Sequence, residues 1–443
     1  MNNKLKAEKN LKLKKYIIEY FRAIIIGIII GLIVGCFQLC VSLISDFSLS
    51  LYTSSDPYIM VLLIVLLIIF STLNFNILKY FPSIDGSGIP LLEQGIRKEE
   101  KIRWKLDIPL LILNSFVAIF CGFPLGSEGP SVVLGGEIAQ GVDDISKKED
   151  TSEDVAIASG AGFGCAFLSP LAGLVYGFEE SLHGFKFSLL FKAIIVSFVS
   201  FFVTFLINKN HLLSLNNVSY LKDESISIIL IIGFLCISFG LLFKKLIILL
   251  KDLFEKYQDI NIVKWRGYIL FIGVFILNLF LNSYMGSGLN IIKGLTSFNS
   301  ILLVIGLIVF RIFITSLSGA GKVTGGLVIP IMCIGGLIAR FSILILNEVF
   351  YIPLESYEFI YLSGICIFFT CLTKAPLTAI VLFFSTLVYS SHSFNVFNAS
   401  SLMSVIVIVI CFLVVNILNE DDLYDDFISI KKKRNSNFNL INK

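Results

Sequence analysis

The sequence predicts an all-helical protein that crosses the membrane many times, built from two inverted repeats of tilted and broken helices. Three observations carry that prediction. The chain has 443 residues, of which 56% are hydrophobic and only 15% charged, and its mean hydropathy is +0.88, more apolar surface than a water-soluble core can hide. Apolar runs of membrane-spanning length recur along it, and several are interrupted by Gly and Pro. Short motifs of the first half return in the second at a nearly constant distance.

The runs lie near 16–46, 57–76, 107–125, 155–178, 185–207, 226–250, 266–283, 299–317, 325–348, 357–390 and 401–418. Broken helices are costly in lipid, where no water satisfies a freed N–H or C=O, so the interruptions must be buried in protein or line a polar cavity. Lys4, Lys6, Lys9, Lys12, Lys14 and Lys15 precede the first run, and Lys431, Lys432, Lys433 and Arg434 follow the last. Both ends therefore read as cytoplasmic, and the loop RKEEKIRWK (97–105) and Lys244, Lys245 and Lys251 carry the same sign. The first run is too long for a cleaved signal peptide, which leaves a multi-pass protein of the cell membrane as the expectation.

Several function classes lose support. The nine cysteines fall in or beside apolar runs with no His or acid at ligand spacing, and read as small buried hydrophobes rather than metal ligands or disulfides. His183, His211 and His392 are scattered. In SGAGKVTGG (318–326), Lys322 is followed by Val323, and Ser316 stands where a phosphate loop needs its first Gly, so no nucleotide site is expected. No His lies in the broken motifs and no G-x-S-x-G elbow occurs, so an enzyme with Ser87 or Ser127 as nucleophile is not expected. No cofactor, metal or nucleic-acid partner is implied.

Comparing the chain with itself is more informative. GSGI at Gly86–Ile89 returns as GSGL at Gly286–Leu289 (286 − 86 = 200), Pro130 meets Pro330, and GGEIA (135–139) meets GGLIA (335–339). Further on, SPLAG (169–173) meets APLTA (375–379) at 376 − 170 = 206. The expected organisation is a basic tail, 1–15, a first repeat, 16–210, a polar linker, 211–225, a second repeat, 226–418, and a tail, 419–443, too short for a further regulatory module. Duplicated halves with broken helices mark transporters that bind substrate near the bilayer midplane.

Three breaks share one design: GSGIP (86–90), GSEGP (126–130) and GGLVIP (325–330), glycine-rich backbone followed by a Pro in the first turn of a helix. A helix start offers free N–H donors and the positive end of the macrodipole, so three of them converging bind an anion without a full positive charge. A Lys or Arg there would hold a permeating anion too tightly to release it. Ser87 adds a hydroxyl donor, and Glu128 places a carboxylate among the same glycines.

With their order and spacing, these motifs and the segment SPLAGLVYGFEESLH resemble the CLC family of chloride channels and proton-coupled chloride transporters, over roughly residues 16 to 430. The resemblance implies a homodimer with one pathway per subunit, embedded in lipid. It implies that Ser87 and Tyr424 contact the central anion by their hydroxyls and that backbone N–H groups near Gly129, Val328 and Ile329 complete the cage. It makes Glu128 the external gate and Glu180 the internal proton-transfer acid, hence exchange of chloride for protons. Glu179 and Glu180 have Ser385 and Thr386 as their repeat counterparts, so the acid pair belongs to one half only.

The chain departs from the family pattern at Ser127, commonly Arg or Lys, at Val328, commonly Phe, and at Ser385, commonly an acid. These departures bear on ion preference and voltage behaviour more than on fold. A passive anion channel of the same fold, or a fluoride or nitrate exchanger, are the alternatives. Retention of Ser87, which the fluoride branch typically replaces, favours chloride.

Overall fold

The computed structural model describes residues 2–209, 213, 227–257, 259–348, 357–391, 398–418, 421–430 and 432; the polar linker apart from Leu213, His211, His392, Lys431, Lys433 and Arg434 lie outside the described residues. Its first half runs α1 (Asn2–Tyr52), α2 (Pro57–Tyr80), α3 (Ile89–Ile96), α4 (Trp104–Phe120), α5 (Glu128–Ile145), α6 (Ser152–Phe167), α7 (Pro170–Tyr176) and α8 (Leu190–Ile207). The second runs α9 (Ile228–Lys256), α10 (Ile260–Leu281), α11 (Leu289–Lys293), α12 (Ile301–Ala320), α13 (Val328–Glu348), α14 (Tyr357–Thr373), α15 (Pro376–Ser391) and α16 (Ala399–Ile417), and a last helix covers 423–430. Helix for helix the halves correspond in order. Among the described residues, eight stretches are long and apolar enough to cross a membrane.

Local chemistry sets the boundaries. Asp56 accepts from the Tyr58 N–H at 2.9 Å ahead of Pro57 at the start of α2, and Ser169 plays the same part at 3.4 Å before Pro170 in α7. Asn398 and Ser401 form a reciprocal capping box on α16. Gly88 and Gly288, equivalent in the two halves, have φ of 75° and 102°, the left-handed region that lets the chain turn sharply into α3 and α11.

The sequence-based runs differ from the helices in three informative places. The run 155–178 is two helices, because Leu168 takes a left-handed φ of 50° and Pro170 then opens α7. The run 357–390 is two helices, because Lys374 takes a left-handed φ of 57° and Pro376 then opens α15. Helix α5 was no apolar run at all: Glu128, Glu137, Asp143 and Asp144 and four glycines mask it. It tolerates them because it is almost wholly buried in protein rather than lipid-facing. Cys36 and Cys40 also depart from expectation, lying exposed on α1 while the other seven cysteines are buried.

The core is made by α5, α6, α13 and α14. Within the α13 span 89% of residues are buried, against 17% in α2 at the rim. Gly126 and Gly326, two hundred residues apart, exchange antiparallel N–H···O bonds, both 2.7 Å long. Equivalent residues that donate identically to each other lie on a local two-fold, so the axis relating the repeats passes between the two broken segments.

The halves are not chemically equal around that axis. Arg311, fully buried, donates to the carbonyls of Tyr284 (3.4 Å), Gly286 (2.8 Å) and Ser287 (2.8 Å), filling the turn before α11 with a cation. Leu111 stands at the equivalent position of the first half, and there the turn is held by Thr324 Oγ1 donating to Ile84 O (2.8 Å) and Gly325 N–H donating to Gly86 O (2.7 Å). At one end of the bundle, Arg22, Lys148 and Lys192 pair with the buried Asp143 and Asp154, fastening α1, α5, α6 and α8 together.

Candidate functional site

The three proline-bearing breaks converge. A Cβ on Gly129 would stand 2.7 Å from Ser87 Cβ and 2.9 Å from Gly326 Cα, so the starts of α3, α5 and α13 meet with only glycine between them. Ser131 N–H donates to Ser127 O at 3.0 Å and Ile331 N–H to Leu327 O at 2.9 Å, which are the first helical bonds of α5 and α13. Ahead of each lie two further N–H groups, those of Glu128 and Gly129 and those of Val328 and Ile329, and then a proline that has none. Free N–H donors and macrodipole ends at two helix starts that meet favour negative charge there.

Glu128, the first residue of α5 and 1% exposed, puts its own carboxylate there. The Ile329 N–H faces it, Ser127 Oγ lies 3.4 Å from Oε1, and Oε2 folds over Gly126 without a hydrogen-bond partner. Arg311 is committed to the turn before α11, and no basic side chain among the described residues pairs with Glu128.

Two cavities approach this point. One, about 410 Å³, is lined by Gln38, Ser127, Glu128, Ser287 and Lys293 among others. The other, about 90 Å³, is lined by Ser87, Asp85, Lys251, Lys322 and Phe427. Glu128 faces the first and Ser87 the second, and Gly129, in contact with Ser87, is the partition between them. Ser87 Oγ accepts from the Ile89 N–H at 3.3 Å, which leaves its proton to donate elsewhere.

Tyr424 lies on the helix 423–430, 1% exposed, with its phenol oxygen buried and unpartnered. It is within electrostatic reach of Glu180, Glu93, Asp422 and Glu128, although it lines neither cavity. Its helix is fastened by Arg97 to Asp425 (2.8 Å) and Lys244 to Asp426 (3.0 Å), and beyond it Lys432 pairs with Glu99 (2.8 Å).

The two acids just after α7 have different surroundings. Glu179 accepts from Leu377 N–H (2.8 Å), Thr378 N–H (2.7 Å) and Thr378 Oγ1 (2.7 Å), so it caps α15 from outside. Glu180, 4% exposed, has Oε1 buried without a partner. The short π-helical turn Gly177–Ser181 produces this split, aiming consecutive side chains in different directions.

Three residues escaped the sequence reading. Glu93 on α3 and Asp422 before Tyr424 lie with Glu180 and Tyr176 in one buried group, and Gln38 of α1 reaches Ser127. Each carried a signal: a polar side chain inside an apolar run, or an acid beside a motif. Beyond the last span, burial pushes the Asp422 carboxyl up to about 7. Burial also raises its neighbour Asp425, but the hydrogen bond and charge of Arg97 together with the hydrogen bond to Asp422 outweigh that and leave it below the usual carboxylate range.

Inverted repeats, and broken helices whose N-termini meet at the symmetry axis, define a multi-pass membrane protein. The chain belongs to the voltage gated chloride channel family, CLC, whose family model matches residues 73–408. Solved structures share the fold. A slow cyanobacterial Cl−/H+ antiporter is 22% identical, with a TM-score of 0.82 over 94% of this chain and 98% of its own. A CLC-type fluoride/proton antiporter is 21% identical, with a TM-score of 0.73 over 90% and 95%, and a eukaryotic CLC transporter is 18% identical, with a TM-score of 0.75 over 94% and 74%.

Proposed function

We propose that this protein exchanges chloride for protons across the cell membrane as a secondary active transporter, not as an enzyme. The observation that carries the reading is the unpaired Glu128 carboxylate between the N-termini of α5 and α13. An ionised carboxylate there competes with an anion for the same N–H groups. Protonated, it loses its attraction to them and yields the place. Site occupancy and charge are thus one variable, which is what exchange of anion for proton requires.

In this mechanism Glu128 is the external gate. Ser87 and Tyr424 donate O–H bonds to a central chloride, and the N–H groups near Gly129, Val328 and Ile329 complete its cage. Protons reach Glu128 from the other side through Glu180, whose buried and unpartnered oxygen suits a proton-transfer group better than a structural one. The repeats 16–210 and 226–418 each contribute one wall, and the tail 419–443 brings Tyr424. The positive-inside pattern puts both termini in the cytoplasm, and the subunit works as a homodimer in lipid with its own pathway.

Purified protein in liposomes with an imposed chloride gradient tests this directly: protons should move uphill, driven by chloride. Chloride flux without proton movement would establish the channel instead. Proton movement driven by fluoride or nitrate but not by chloride would move the assignment to another anion.

A further inference from the structure

Gln38 sits on α1 at membrane depth, 6% exposed, with Ser42 one turn further on lining the same outer cavity. Its amide joins a closed circuit. Gln38 Nε2 and Ser131 Oγ are 2.8 Å apart, Ser127 Oγ and Gln38 Oε1 are 2.9 Å apart, and Ser131 Oγ donates to Ser127 O at 2.9 Å.

Counting protons fixes the direction of every bond. The one hydroxyl proton of Ser131 is spent on the Ser127 carbonyl, so Ser131 Oγ can only accept from Gln38, and the amide must present its NH2 there. Oε1 therefore faces Ser127 and, being an acceptor only, takes that hydroxyl's single proton. Ser127 Oγ is left with lone pairs toward Glu128 Oε1, 3.4 Å away. A bond across that gap forms only if Glu128 supplies the proton.

We infer that Gln38 is a positioning residue which, by committing the Ser127 hydroxyl proton to itself, favours the protonated, outward-yielding form of Glu128. The inference rests on the reading of Glu128 as the gate. Other titratable groups lining the cavity are Asp46 on α1, Cys165 on α6, Lys293 on α11 and Tyr389 on α15, and Tyr424 lies within electrostatic reach of Glu128. None of these takes part in the circuit.

Gln38→Met keeps the side-chain volume and removes the acceptor. The Ser127 proton is then free to turn to the Glu128 carboxylate and hold it ionised. Chloride flux from liposomes, followed across a series of external pH values, should become half-maximal about one pH unit lower than in the wild type, the effect of one hydrogen bond to a charged group. In a Ser127→Ala background the same Gln38→Met change should shift nothing, because its messenger is gone. An unmoved midpoint in Gln38→Met, or an equal shift with and without Ser127, overturns the inference. If Gln38→Met does not fold, Gln38→Glu carries the test: it keeps the acceptor, so its midpoint should stay or rise, and a fall overturns the proposal. Glu128→Gln separates the two readings. If it keeps a pH-dependent flux the gate assignment fails, whereas if it loses that dependence and Gln38→Met is silent, only the role of Gln38 fails.

Discussion

Replacing Glu179 and Glu180 in turn by Gln separates a structural acid from a proposed transport acid within two adjacent residues. In Glu179→Gln the amide oxygen can keep the two Thr378 donors, both 2.7 Å from one carboxylate oxygen, while the new NH2 faces the Leu377 N–H. One hydrogen bond to a charged group is lost, about 1.5–3 kcal/mol. Removal of negative charge from the α15 N-terminus adds about 0.3–1 kcal/mol. Together they amount to roughly 2–4 kcal/mol, lost from the packing of α7 on α15. Glu180→Gln gives up no hydrogen bond at Oε1 and should change stability by less than about 1 kcal/mol. Thermal unfolding in detergent should therefore rank Glu179→Gln well below the wild type and Glu180→Gln beside it. Proton uptake driven by a chloride gradient should show the reverse, abolished in Glu180→Gln and retained by whatever Glu179→Gln protein folds. Chloride affinity should be unchanged in both. Coupling lost at 179 and kept at 180 would refute the assignment, and coupling kept in both would remove Glu180 from the proton route.

Glu128→Gln, which has the shape of the protonated acid but no proton to shed, should let chloride pass without moving protons and with no pH dependence; uphill proton movement in that variant would exclude Glu128 as the gate. Ser87→Ala and Tyr424→Phe each remove one proposed donor to the central anion, so calorimetry should show chloride binding weakened by about 1.5–3 kcal/mol apiece, and unchanged affinity in both would dissolve the cage. Asp422→Asn keeps a good N-cap for the helix 423–430, whose Tyr424 and Asp425 N–H groups Asp422 now receives at 2.6 and 2.9 Å. Because the folded Asp422 titrates near 7 against an ordinary 3.8, ionising it opposes folding as pH rises from about 4 to about 7. The Asn variant should match the wild type near pH 4 and exceed it by roughly 2–4 kcal/mol above pH 7 in thermal unfolding. An equal difference at every pH would contradict that sign.

The sequence made the repeat and its breaks legible because a broken membrane helix needs Gly and Pro at fixed places, and these survive as words: GSGIP, GSEGP, GGLVIP. The ends of α3, α5 and α13 fall where those words put them. Helix α5 itself was hidden, since a helix surrounded by protein is released from the apolar composition by which membrane helices are recognised. Gln38 was hidden for a different reason. Its meaning depends on Ser127 and Ser131, ninety residues away, and on the direction of hydroxyl protons that only a closed circuit determines.

A duplicated scaffold with a two-fold axis ought to offer two equivalent sites, yet the residues around Gly126 and Gly326 differ between the halves. Where the first half has Glu128 the second has Val328, and where the first has Leu111 the second has Arg311, which fills its own turn. The acids at 179 and 180 face Ser385 and Thr386 across the repeat. Each substitution removes from the second half a titratable group or a vacancy that the first half keeps. The second half retains what does not titrate, the N–H groups opening α13, of which that of Ile329 faces Glu128. On the proposed mechanism, symmetry supplies two helix N-termini for one anion, and asymmetry confines the proton to one side of it. Restoring symmetry by Val328→Glu would set a second carboxylate on the same donors. Either carboxylate, once ionised, competes for those donors, so the double-acid protein should bind chloride only when both are protonated, and its affinity should fall with rising pH at least as steeply as that of the wild type.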